Sequence, residues 1–196
     1  MIKDSFGRFN RDYKKVFWQF LAIMVATWII SFAIVKLTGS TEAVRSFLKA
    51  SIGSENTLHG GSFLPLFMHN FTGSVMIIIL GLIPIPLYYA FIVYNAATVG
   101  LVLTLTAHPI AMFMAGILPH GILEIPAQII SAAISAKVVW FVFDKYIRHR
   151  DRPETFGLII KNAVIDTIVF VLPLLFVAAI IEFSITPGLI HTFVGK

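Results

Sequence analysis

The feature that most constrains this chain is a long stretch without charge. From Pro65 to Ala107 the sequence contains no Asp, Glu, Lys or Arg. A helix needs about 20 mostly apolar residues to cross a bilayer, so this stretch is long enough for two crossings. The segment GLIPIP (81–86) interrupts it near the middle, and its glycine and two prolines are helix-breaking residues. The stretch therefore predicts two membrane spans joined by a very tight turn.

The composition of the whole chain leads to the same class of protein. Apolar residues make up 58% of the sequence and charged residues 13%, whereas a soluble domain has about 25% charged residues. A globule of 196 residues cannot bury that apolar excess in one core, so a soluble or a disordered protein is excluded. The absence of cysteine also excludes disulfides, thiolate catalysis and cysteine-ligated zinc.

The hydropathy pattern predicts an all-α fold, an integral membrane helical bundle that forms one transmembrane domain over residues 1–196. Its five predicted spans cover residues 16–36, 65–83, 87–107, 121–143 and 158–181. Residues 38–62 are expected to form an outer loop, in which Thr41–Ile52 is a short amphipathic helix on the membrane surface. Because Pro119 follows it, the apolar piece 110–118 is interpreted as a re-entrant or interfacial segment.

The distribution of basic residues predicts the orientation. Five basic residues lie within 1–15 and five within 145–161, whereas the 38–62 loop carries only Arg45 and Lys49. Basic residues concentrate in cytoplasmic segments, so the N-terminus and the 144–157 loop are expected in the cytoplasm. Five crossings then place the C-terminus outside. This distribution, in two clusters beside apolar runs, argues against a nucleic-acid partner despite the net charge of +5.

Several polar side chains within the apolar runs are candidates for a site. His120, Glu124 and Gln128 are spaced i, i+4 and i+8, which places them in one stripe on a helix. Asn70 lies at a similar height on the second span, and Asn95 lies nearer the middle of the membrane on the third. These heights permit a polar pocket that opens outward.

Two interpretations of this stripe remain open. The stripe either ligates a metal, handles protons or binds a polar ligand, since polar groups in a membrane are often functional, or it is a hydrogen-bonded clip that ties the helix break at Pro119 to its neighbours. His120 and Glu124 supply two metal ligands without an obvious third, and no HExxH motif is present. We therefore expect no metal, no other cofactor and no catalytic residues.

A second polar pair is predicted nearer the cytoplasm. Lys137 and Asp166 lie at similar depths on consecutive antiparallel spans, and an unpaired charge in lipid costs a few kcal/mol. The spacing predicts a structural ion pair between them. The alternative is that Lys137 extends alone to the membrane interface.

One block of sequence resembles a known family. The block ILPHGILEIPAQIISAA (117–133), with NAATVG (95–100) and the Gly- and Pro-rich turn before it, resembles the stage II sporulation protein M family of small multi-pass bacterial and archaeal membrane proteins. The resemblance extends over roughly residues 65–136, and its specific part is the His-Gly-x-x-Glu element of His120, Gly121 and Glu124. It implies a non-enzymatic protein of the cell envelope that works beside peptidoglycan-cleaving partners.

The leading functional hypothesis is therefore a plasma-membrane protein, without catalytic activity, that organises or recruits envelope proteins. The alternative is a small transporter or channel that uses the outward pocket around His120 and Glu124. Small-xxx-small spacings, such as Ala96 and Gly100, favour close helix packing within the bundle and would also allow homo-oligomers.

Overall fold

The computed structural model describes residues 1–52 and 62–195, which form helices and contain no strand. Five helices in these ranges are long and apolar enough to cross a membrane, which confirms the predicted class of fold. They are α1 (Ile2–Thr38), α3 (Phe63–Leu80), α4 (Leu87–Thr104), α5 (Pro109–Ile147) and α6 (Phe156–Ser184). Two short helices, α2 (Thr41–Ile52) and α7 (Thr186–Phe193), follow α1 and α6 respectively.

Helix α5 is the most deeply buried of the five and packs against α1, α3, α4 and α6. Its middle is a run of small residues, and Ala127, Ser131 and Ala132 are fully buried. Small side chains let helix backbones approach closely where lipid provides no hydrophobic drive for association. Ser135 uses this proximity to donate a hydrogen bond of 2.7 Å to the backbone carbonyl of Ile77 on α3.

Helices α1 and α4 form the second close pair. Phe20 and Met24 of α1 are buried against Ile92 and Ala96 of α4. Farther along the pair, Gly100 lies so close to α1 that an added Cβ atom would be 2.7 Å from the backbone oxygen of Trp28. The glycine therefore sets how closely the two helices approach.

The structure joins residues 110–118, predicted as a re-entrant or interfacial segment, to the fourth spanning helix. These residues belong to α5, which runs continuously past Pro119 and contains a wide π-helical turn at Phe113–Ile117. A proline ring normally collides with the carbonyl group four residues earlier in a helix. For Pro119 this carbonyl belongs to Ala115, which lies within the wide turn. The same arrangement recurs in α6, where the π-turn Thr167–Val171 precedes Pro173. Both helices therefore accommodate a proline without ending.

The two ends of the bundle differ in charge. Residues 1–15 and the loop between α5 and α6 lie at the same end, since Lys137 contacts both Asp12 and Glu154 there. We call this the basic end. The loop is shorter than the predicted 144–157, because α5 continues to Ile147 and α6 begins at Phe156.

The opposite end is capped by the two short helices. Helix α2 packs on the ends of α1 and α4, where Val44 and Leu48 are buried against Val35 and Leu101. Helix α7 folds back onto the first turns of α5. Residues 53–61 of the predicted 38–62 loop lie outside the described residues.

Candidate functional site

Three side chains of residue types that can bind a metal ion meet at the opposite end of the bundle. His120 and Glu124 lie one turn apart on α5, and Glu182 comes from the last turns of α6. One ligand atom from each residue lies within 4.8 Å of the other two. On α5, His120 Nε2 lies 4.0 Å from Glu124 Oε2. We call these three residues the His–Glu–Glu cluster.

Two neighbouring side chains orient members of the cluster. The side-chain amide of Gln128 donates a hydrogen bond of 2.7 Å to Glu124 Oε1, which leaves Oε2 toward the histidine. The hydroxyl of Thr186, at the start of α7, lies 3.5 Å from His120 Nδ1 and leaves Nε2 toward the glutamate. Glu124 Oε2 and His120 Nε2 therefore face one another, while Gln128 and Thr186 contact the other polar atom of each side chain.

The cluster is shielded from solvent without being sealed. The side chains of His120 and Glu124 are 13% and 17% exposed, and Glu182 is half-buried. Two carboxylates held together in a medium of low dielectric repel one another when both are ionised. This arrangement favours a bound cation or a shared proton between them.

The structure brings together three of the five residues predicted to line a pocket: His120, Glu124 and Gln128. Asn95 instead donates a hydrogen bond of 2.8 Å to the carbonyl of Phe91 in its own helix. Asn70 is half-buried on α3, and within the described residues no hydrogen bond joins it to the cluster.

Sequence reasoning missed Glu182, the third residue of the His–Glu–Glu cluster. Its position at the end of the last apolar run, at the same end of the bundle as Glu124, was the available signal. That position fixes its height in the bundle. It does not fix the direction in which α6 presents the side chain.

The structure also corrects the predicted Lys137–Asp166 ion pair. The Lys137 ammonium lies 2.5 Å from Asp12 and 3.7 Å from Glu154, while Asp166 binds Arg8. The prediction considered only residues within the spans, whereas helix α1 extends below its predicted start and supplies partners to both α5 and α6.

Asp166 lies in the most buried polar centre of the basic end. Its carboxylate is fully buried and accepts hydrogen bonds from Arg8 Nε at 2.8 Å and from the Tyr13 hydroxyl at 2.8 Å. Nearby, Asp144 pairs with Arg148 and Arg152 and so closes the loop between α5 and α6. These ionised groups bind one another, which is the arrangement of a structural network.

A groove of about 470 Å³ opens beside this network. Its walls combine charged residues with aromatic residues of α4 and α5: Asp12, Lys137, Arg152, Glu154, Tyr88, Tyr89 and Trp140. The groove therefore lies at the basic end, away from the outward pocket that the sequence predicts.

Comparison with known proteins identifies the family. Residues 17–187 match the family described as stage II sporulation protein M. An uncharacterised protein of Methanocaldococcus jannaschii is 33% identical over 102 residues, which cover 49% of this chain and 54% of that protein. The chain thus spans about half the length of the curated relative that it matches. No solved structure matches the chain. With the family match covering most of a multi-pass helical bundle, the chain belongs to the stage II sporulation protein M family.

Proposed function

We propose that this protein is a non-enzymatic organiser of the cell envelope that recruits peptidoglycan-remodelling proteins to the membrane. The observation that carries the proposal is the internal pairing of charged groups at the basic end. Arg8 with Asp166 and Lys137 with Asp12 connect helices of the same bundle. Because these charged groups bind one another within the bundle, they serve the architecture. Contact with other proteins is then left to the exposed surfaces of the bundle. Membership of the family supports the same role.

The proposed orientation places the basic end in the cytoplasm of a plasma-membrane protein, with the C-terminus outside. Both basic segments lie at one end of the bundle, as the positive-inside rule requires. Helices α2 and α7 are then on the outer surface, the side on which peptidoglycan lies. Each presents an exposed aromatic side chain there, Phe47 and Phe193, which are 47% and 63% exposed.

Affinity capture of the full chain in mild detergent, after cross-linking in cells, tests the proposal. We expect the wild-type protein to recover peptidoglycan-cleaving enzymes. Phe47→Glu and Phe193→Glu should reduce the recovery, because each places a charge on an outer apolar surface. Ile29→Ala is the control for loss of an exposed apolar side chain, since Ile29 is about as exposed as Phe193 but lies within α1, away from the outer surface. Failure to recover such an enzyme, together with solute movement by the purified protein, would contradict the proposal.

A small transporter or channel is the second candidate, favoured by the part-buried ionisable groups of the His–Glu–Glu cluster. Flux of protons and of divalent cations into proteoliposomes tests it. If the wild-type protein conducts and Glu124→Gln conducts equally well, the cluster has no part in transport. If conduction is lost in Glu124→Gln but kept in Glu42→Gln, an exposed glutamate on α2, the transporter is supported.

A further inference from the structure

We propose that the His–Glu–Glu cluster is a binding site for a divalent transition-metal ion of the zinc class, held between α5 and α6. The i, i+4 spacing of His120 and Glu124 provides two ligands from one helix, and Glu182 is the third. Three protein ligands with one open position is a common arrangement at zinc sites. The inference does not depend on the proposed role in recruitment.

The distances between the ligand atoms are slightly longer than those expected in an occupied zinc site. Zn–N and Zn–O distances of about 2.0–2.2 Å place neighbouring ligand atoms of a tetrahedron about 3.4 Å apart. The His120 and Glu124 atoms are 4.0 Å apart, and all three ligand atoms lie within 4.8 Å. Side-chain rotations that move these atoms by roughly 1 Å would complete the geometry.

The surrounding hydrogen bonds resemble the outer shell of a metal site. Histidine ligands usually engage a partner through the ring nitrogen that does not bind the metal, and carboxylate ligands are themselves hydrogen-bonded. Thr186 lies beside Nδ1 of His120, and Gln128 donates to Oε1 of Glu124. His120 and Glu124 therefore each keep one atom for an ion and use the other for orientation.

Charge and donor chemistry select the kind of ion. Two carboxylates neutralise the double charge of the cation, which matters where the dielectric constant is low. A site with one imidazole nitrogen and carboxylate oxygens suits zinc and its first-row neighbours, whereas magnesium and calcium prefer oxygen ligands alone. The bound ion would fasten the start of α7 and the end of α6 to α5 through Thr186, Glu182 and His120.

The test is metal binding by the full chain, purified in detergent through a tag without histidines and stripped with a chelator. The absence of cysteine removes thiolates as competing ligands. We expect about one zinc ion per chain by elemental analysis after dialysis, retained in excess magnesium. Cobalt should give the visible absorption of a tetrahedral site, and zinc should raise the unfolding temperature.

Variants separate the site from surface binding. Glu182→Gln and His120→Asn should abolish stoichiometric binding and the zinc-dependent rise in unfolding temperature, whereas Gln128→Leu should weaken affinity by about 10–100-fold. The matched controls are His191→Asn and Glu42→Gln, which change exposed residues outside the cluster and should bind zinc normally. Absence of stoichiometric zinc in the wild-type protein would overturn the inference. So would zinc binding by Glu182→Gln and Gln128→Leu that equals binding by the wild-type protein.

Discussion

The guanidinium of Arg8 binds both oxygens of the Asp166 carboxylate, although 158 positions separate the two residues. Nε lies 2.8 Å from Oδ2, and Nη2 lies 2.5 Å from Oδ1. This paired geometry is the strongest form of an arginine–carboxylate contact. It joins the first helix of the chain to the last spanning helix at the basic end.

Replacement of Arg8 by Met should destabilise the bundle by about 3–5 kcal/mol, because it leaves a buried carboxylate without its cation. Asp166→Asn should have a smaller effect, since the long side chain of Arg8 can reach the interface. Denaturation of the detergent-solubilised protein measures both effects. The control is Asp4→Asn, which alters an exposed contact with the N-terminal amine and should leave the midpoint unchanged. Equal midpoints for Arg8→Met and the wild type would contradict the prediction.

Double-mutant cycles should distinguish the observed partner of Lys137 from the one that sequence suggests. Asp12→Asn and Lys137→Met should couple by about 0.5–3 kcal/mol, because the two groups share a contact of 2.5 Å. The cycle between Lys137→Met and Asp166→Asn should give a coupling near zero. A larger coupling in the second cycle than in the first would restore the Lys137–Asp166 pair.

Gly100→Ala should destabilise the protein by about 1–3 kcal/mol, the usual range for overpacking. The new Cβ would overlap the Ser31 hydroxyl and lie 2.7 Å from the Trp28 carbonyl oxygen, so α1 and α4 must separate. Adding Ser31→Ala should recover only part of the loss, because the carbonyl remains. Gly73→Ala is the matched control, since nothing lies within 4 Å of its Cβ position. Similar unfolding midpoints for Gly100→Ala and Gly73→Ala would argue against close contact of α1 and α4.

Single-cysteine labelling in whole cells should confirm the orientation. The natural chain has no cysteine, so Asp151→Cys and Thr192→Cys each provide one reactive thiol. A membrane-impermeant reagent should label residue 192 in intact cells, and residue 151 only after the membrane is opened, because the two lie at opposite ends of the bundle. Asp4→Cys should behave like Asp151→Cys. The reverse pattern would invert the proposed topology.

The sequence by itself determined the number of spanning helices. It did so through local features of the chain: the charge-free stretch, its interruption at 81–86 and the two basic clusters. Because the thickness of the bilayer sets how many apolar residues a span requires, these features give the number of spans directly. The stripe of His120, Glu124 and Gln128 could likewise be predicted from the sequence, because helical periodicity alone places these residues on one face.

Only the tertiary structure decided which polar groups meet. Lys137 and Asp166 share a depth, yet each is paired with α1, because ion pairing depends on the rotation of helices about their axes as well as on depth. Glu182 joins His120 and Glu124 for the same reason. The π-turn before Pro119 arises from accommodation of a proline ring inside a packed helix, so the helix continues where residue preferences alone predict a break.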